Sequence, residues 1–286
     1  MRHLRSGRGS TAARKKASAY LAQGYQRLTT FEVGRSGGFS LFGRAPAQDM
    51  LTAFGLGEFH DLGTVMKVDR PLIRRIQRYL VKKQRADGTW RPAGSLIESG
   101  STNPRGVYTA TAYVTWQLAR SGYRGKALWR AVATLRARAA ETRGNAYALS
   151  LAIRALHAAG DPRDRPRLRR WAAELTRLVK RDGRQRSWSP AKKSTLMGWG
   201  RTASVETTSL AALALLETNV GLDHVLGAVR WLLAHRAGDG AWSTTQATVL
   251  ALESLLASRR LRTSRPPSRV RVFVDGALAG TLTPRK

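Results

Sequence analysis

Few side chains in this sequence are spaced to do chemistry. Glu58 and Asp61 stand three apart, so on a helix they share a face, and Glu206 lies far along the chain in an otherwise uncharged run. Carboxylates are the minimum for acid–base hydrolysis; a glycosidase holds two of them about 5–9.5 Å apart across a cleft. The structural reading of these three is milder. Glu206, beside Ser204, is expected to open a helix and stabilise its positive end. Glu58 and Asp61 are expected to make contacts where a helix meets a loop. The histidines are His3, His60, His157, His224 and His235, and no two fall at i, i+3 or i+4, where a helix could offer paired metal ligands. His157 and His235 are expected near helix C-termini, where positive charge is favoured. There is no cysteine, which removes disulfides, thiolate metal sites and a cysteine nucleophile together. No catalytic, cofactor-binding or metal residue is assigned, no cofactor is implied, and the chain is read as a non-enzyme.

The wider composition is that of a globular protein except in charge. Of 286 residues, 42% are hydrophobic, but 50 Lys+Arg face 18 Asp+Glu, a net charge of +32. Such a field attracts nucleic acid, anionic surfaces and acidic proteins without specificity. A basic interaction module with acidic partners is therefore one alternative. The basic residues fall on every amphipathic segment rather than along one stripe, which fits a solvated rim. The tryptophans read as packing: Trp90, Trp188 and Trp242 follow turns, and Trp116, Trp129, Trp171 and Trp231 fall on apolar helix faces. The longest apolar runs, such as Leu210–Leu216, fall short of the roughly 20 residues that cross a bilayer, so no membrane span is expected. Met1–Lys16 is basic but no apolar run follows it, so no secretory signal is read there.

The elements that must position these residues alternate in character. Ala13–Glu32, Pro71–Arg85, Lys126–Ala140, Arg165–Arg181 and Leu222–Arg236 are amphipathic and basic. In the second, Leu72, Ile73, Ile76, Tyr79 and Leu80 follow the helical repeat, with Asp69 as a cap and Pro71 in the first turn. Asp49–Leu62, Tyr108–Arg120, Asn145–Ala159, Val205–Thr218 and Thr244–Ser258 are apolar nearly all round, as buried helices are. Alternation with short connections predicts an all-α fold, an α/α toroid of about ten helices in two concentric layers with the apolar helices inside. The turns Gln84–Trp90 and His235–Trp242 share an Asp-Gly followed by Trp, and Gly37-Gly38-Phe39 and Asp182-Gly183…Trp188 are looser versions, a sign of internal repetition. The expected organisation is a disordered basic leader over 1–12, the toroid over 13–258, a linker over 259–269 and a β-hairpin over 270–286.

Several stretches resemble one family. Gly24-Tyr25-Gln26-Arg27-Leu28-Thr29-Thr30-Phe31 with Gly37-Gly38-Phe39-Ser40-Leu41-Phe42-Gly43, Leu51-Thr52-Ala53-Phe54, and Val205-Glu206-Thr207-Thr208-Ser209-Leu210 are similar to segments of the α-macroglobulin/complement thioester domain. The most specific is Val229-Arg230-Trp231-Leu232 … Gly240-Ala241-Trp242-Ser243-Thr244-Thr245-Gln246-Ala247-Thr248. The resemblance implies a toroid with six inner helices, the first carrying a Cys–Gln thioester, and β-domains beyond the helices. This sequence offers five inner helices and no cysteine; the missing helix is the first. Gly94–Gly100, at the place where some relatives carry a His that steers the thioester, has none. Toroids also host terpene cyclases and zinc prenyltransferases, but the acidic proton-donor cluster and the thiolate ligands they need are not in the sequence.

The expectation is thus a non-catalytic, thioester-domain-like module of an α-macroglobulin-type endopeptidase inhibitor, truncated or split from a larger gene product, with the hairpin as the start of a following β-domain. Its partners would be the rest of a macroglobulin-like polypeptide or a protease. A toroid hydrolase ranks below the basic interaction module. The family suggests an extracellular or periplasmic setting. A ring one helix short should leave an apolar slot between its first and last inner helices.

Overall fold

The computed structural model describes residues 11–91, 104–190, 200–238, 240–262, 270–274 and 277–282. Among these, ten helices alternate between two layers. The outer layer is α1 (Thr11–Thr29), α3 (Arg70–Lys83), α5 (Lys126–Ala137), α7 (Arg165–Arg177) and α9 (Leu222–Ala234). The inner layer is α2 (Asp49–Gly63), α4 (Pro104–Arg120), α6 (Ala146–Ala159), α8 (Gly200–Thr218) and α10 (Thr245–Arg262). The fold is an all-α toroid with a C-terminal hairpin, β3 (Val270–Val274) antiparallel to β4 (Ala277–Leu282).

The layers follow from which faces carry charge. In α3, Leu72, Ile76 and Leu80 are buried while Arg74 and Arg78 stay in solvent, and Asp69 accepts a hydrogen bond from the Leu72 N–H at 3.3 Å as the N-cap. In α6 every residue from Ala146 to Leu156 is buried, and in α8 every residue from Val205 to Leu215. Each large apolar side chain so enclosed contributes about 1.5–3 kcal/mol relative to exposure. Alanines such as Ala211, Ala212 and Ala214 keep the inner helices close. Consecutive inner helices pack side by side, α2 on α4, α4 on α6, α6 on α8 and α8 on α10; α2 and α10 do not pack on each other in this way.

One hydrogen-bonded junction recurs where outer helix gives way to inner. Trp90, Trp188 and Trp242 are buried, and their indole N–H groups donate to Leu80 O, Leu175 O and Leu232 O, carbonyls in the last turns of α3, α7 and α9, each at 2.8 Å. Their backbone N–H groups donate to the hydroxyls of Thr111, Thr208 and Thr248 on the next inner helix, at 3.1, 3.0 and 3.0 Å. The first junction keeps half of this device: Phe39 N–H donates to Thr52 Oγ1 at 2.8 Å. At the end of α5 the phenol of Tyr108 supplies the missing donor, reaching Leu135 O at 3.3 Å. Carbonyls in the last turns of α3, α5, α7 and α9 thereby gain an aromatic donor from another segment, Leu175 O and Leu232 O in addition to the backbone N–H of Leu178 and His235. Gly88 and Gly240 take φ of +81° and +87° in the two closely similar turns.

The structure departs from the sequence reading at several boundaries. α7 stops at Arg177 rather than Arg181, because Lys180–Asp182 (β1) pairs antiparallel with Gln185–Ser187 (β2) around Gly183, a small ribbon the periodicity did not reveal. α8 starts at Gly200, not Val205: buried Ala203 and the bond from Thr207 Oγ1 to Ala203 O, 2.7 Å long, hold the extra turn although its residues are poor helix formers. α10 continues to Arg262, past the linker boundary expected at 259, because Ala257 and Leu261 still pack on the core. α1 begins at Thr11, inside the expected leader. The stretch Gly94–Gly100, Asp239, and residues 1–10 and 263–269 lie outside the described residues.

Candidate functional site

Charged side chains on helices that are otherwise apolar gather on the inside of the ring. Arg154 of α6, only 4% exposed, donates through Nε to Glu217 of α8 at 3.1 Å and through a terminal nitrogen to Glu253 of α10 at 3.0 Å. Its guanidinium lies 4.1 Å from the ring centroid of Trp116 on α4. Arg120, one turn further along α4, lies 5.0 Å from the same ring and pairs with Asp61 of α2. All five inner helices thus contribute to two sets of ion pairs that share one tryptophan face. Burial penalises the charged form of Arg154, but Glu217 and Glu253 outweigh it and its pKa is raised. Pairs this enclosed fix geometry more than they add stability, because desolvation offsets most of the attraction.

Glu58 completes the set. Its pKa is pushed up to about 7, first by burial, then by the neighbouring Asp61 and Glu253, with Arg120 acting in the opposite direction. It lines a cavity of about 20 Å³ between α2, α4 and α10, with Phe54, Gln117, Arg120, Val249 and Glu253 among its walls. That is room for about one water molecule. Gln117 is laid flat against Gly57, where a Cβ would come within 2.5 Å of its Oε1, so α2 and α4 approach this closely only with glycine at that position. Such an arrangement can hold or release one proton near neutral pH.

The carboxylates singled out in the sequence are not brought together as a hydrolytic pair. Glu58 and Asp61 do share a face of α2, but Asp61 is committed to Arg120, and both look into the ring rather than onto a loop end. Glu206 does not open its helix. It lies two turns into α8, 1% exposed, and Ser204 bonds back to Gly200 O instead of capping. It lines no part of the Glu58 cavity. His157 lies in the last turn of α6, and His235 caps α9 with its Nδ1 2.8 Å from Trp231 O. Among the described residues no group of three His, Asp or Glu could hold a metal ion, and no helix is long and apolar enough to cross a membrane. Two tryptophans differ from expectation: Trp129 is 40% exposed, and Trp231 is half-buried and stacked on His235.

Arg154, Glu217, Glu253, Arg120 and Gln117 were not anticipated as a set. The available signal was a single charge in an uncharged helix, as with Arg154 in Ala146–Ala159, since an isolated buried charge needs a partner.

Fold and interior together define a helical toroid of the thioester-domain type whose inner ring is tied by ion pairs. The A-macroglobulin TED domain family matches residues 2–257, and the chain belongs to that family. It is similar to ovostatin of Gallus gallus, 24% identical over 262 residues that cover 87% of this chain and 18% of that protein. It is likewise similar to complement C3 of Lethenteron camtschaticum, 24% identical over 255 residues, covering 85% of this chain and 15% of that protein. The chain therefore spans less than a fifth of the length of these curated relatives. The stretches that carried the resemblance have a structural reason: Thr52, Thr208 and Thr248 within them are the hydroxyls that hold the inter-layer junctions.

Proposed function

We propose that this chain acts as a non-catalytic module of an α-macroglobulin-type endopeptidase inhibitor, contributing shape and docking surface but no covalent trap. The observation that carries the reading is the coincidence of a thioester-domain toroid with a sequence that has no cysteine. A thioester requires a thiol, and no residue of this chain can supply a leaving group equivalent to a thiolate. The interior supports the same view, since the Arg154 and Arg120 networks are already internally paired. On this reading the working partner is the rest of a macroglobulin-like polypeptide, the setting is outside the cytoplasm, and the hairpin at 270–282 begins a further β-domain.

Intact-mass spectrometry tests the proposal. The chain is incubated with an activated endopeptidase and with methylamine, and its mass is expected to remain that of the sequence, or of clean fragments, with no adduct. An adduct stable in denaturant would contradict it. So would hydrolysis of a polysaccharide that is lost in Glu58→Gln.

A further inference from the structure

The inner ring has one joint that is built differently from the rest. The other neighbouring inner helices pack side by side, whereas α2 and α10 meet through side chains around the cavity of about 20 Å³. Phe54, Glu58 and Asp61 come from α2, and Gln246, Val249 and Glu253 from α10. The apolar part of this contact is thin: Phe54 and Val249 are partly buried, and Leu252 and Leu256 beyond them are largely open to solvent.

The charge balance of the joint turns on Glu58. Among the described residues that line the cavity, Arg120 alone is cationic, and it is bonded to Asp61. Glu253 is held from the other side by Arg154, which it shares with Glu217. The Glu58 carboxyl interacts with its charged neighbours through space, without a hydrogen bond to any of them. Asp61 lies one turn along its own helix, Glu253 faces it from α10, and Arg120 faces it from α4. Tyr113 of α4 is enclosed and its phenol is held well above its usual pKa, so it stays neutral. The outer helices α1 and α3 pack on α2 but contribute no side chain to the cavity. Ionised Glu58 is therefore the third carboxylate against one arginine in this wall. Repulsion between charges in a partly dry site is poorly screened, and this joint has the least packing to resist it.

We propose that the seam between α2 and α10 is a proton-operated gate, closed while Glu58 is protonated and spread apart when Glu58 ionises. Burial and the facing carboxylates hold the Glu58 pKa up at about 7 in the closed seam, against an ordinary value of 4.5. The closed form is thus fully favoured below that window and loses ground as pH rises through it. Spreading uncovers Phe54, Val249 and the leucines beside them, so one proton sets how much apolar surface the ring presents. The gate does not depend on the proposed inhibitory role.

Hydrogen exchange of the full chain, followed by mass spectrometry from pH 5.5 to 8.5, tests the gate. Comparing native and Glu58→Gln chains at the same pH cancels the intrinsic chemical rate. The two are expected to exchange alike at pH 5.5. At pH 8.5 the amides of α2 and α10 are expected to exchange about tenfold faster in the native chain, and those of α6 to differ by less than about twofold. Asp61→Asn, which frees Arg120 to pair with Glu58, is expected to lower the midpoint of the change by about one pH unit or more. That shift is read against α6 amides of the same molecule, so it stands even if Glu58→Gln folds poorly. Asp182→Asn, on the exposed strand β1, is expected to leave the midpoint where it is. Equal acceleration of α6 would mean that the whole fold weakens and would overturn the gate. So would native and Glu58→Gln chains that match at every pH, or a midpoint that Asp61→Asn does not move.

Discussion

At the scale of single residues, Arg154 and Glu58 carry opposite lessons about charge inside an apolar ring. Arg154 is paired through Nε and one terminal nitrogen with Glu217 and Glu253, so removing it strands two carboxylates near each other. Arg154→Met is expected to cost about 3–5 kcal/mol in urea denaturation, and adding Glu217→Gln and Glu253→Gln to recover most of that. Glu58 has no cation of its own; Arg120, which faces it from α4, is shared with Asp61, and Glu253 faces it from α10. Its folded pKa lies above its unfolded value, so between about 4.5 and about 7 the folded state binds the extra proton. Stability contributed by the protonated form is therefore complete below that window and lost as pH rises through it. At about 1.4 kcal/mol per pKa unit the loss is at most about 3.5 kcal/mol, less what solvent at this half-buried carboxyl screens. Urea titrations from pH 4.5 to 8 should show that decline in the native chain and a flatter profile in Glu58→Gln. A slope that is the same in both would refute the assignment. Neither role was legible in the sequence: the i, i+3 spacing of Glu58 and Asp61 placed them on one face of a helix, but what that face looked at depended on α4 and α10, which are remote in sequence.

The elements were far more legible, because layer membership depends on whether a helix has a charged face. The alternation of α3, with its arginines, and α6, with none but Arg154, is visible in composition alone. The boundaries were not, since they are decided by contacts from other elements. Buried Ala203 extends α8 backwards, packed Leu261 extends α10 forwards, and the β1–β2 ribbon cuts α7 short. The Asp-Gly-to-Trp turns pointed to repetition, and the structure supplies its cause in the paired indole and backbone hydrogen bonds. Thr111→Val and Thr208→Val should each leave a buried Trp N–H unpaired and cost about 1–3 kcal/mol, measured by urea unfolding. Thr115→Val should cost less, since that hydroxyl only bonds back to Thr111 O within its own helix. Equal costs at all three positions would mean that the junction threonines have no role beyond packing.

For the whole molecule, the decisive feature is the seam between α2 and α10. Phe54 of α2 and Val249 of α10 line the same cavity, and Leu252 and Leu256, which continue the Val249 stripe at helical spacing, are 46% and 56% exposed. Apolar side chains lined up along an open edge mark an interface. This is the physical ground for reading the chain as a module covered by further macroglobulin-like polypeptide. Most of the net charge of +32 lies on the outer helices, so binding of the isolated chain to nucleic acid should be weak and should fall steeply with added salt. Binding that is tight, selective and persists in high salt would favour the interaction-module alternative. The most direct test of the seam combines ANS fluorescence with sedimentation of the isolated chain at neutral pH. The account predicts ANS binding or self-association, either of which is reduced by Leu252→Glu/Leu256→Glu. A cooperatively folded monomer that binds no ANS would show that the ring is closed and would contradict it.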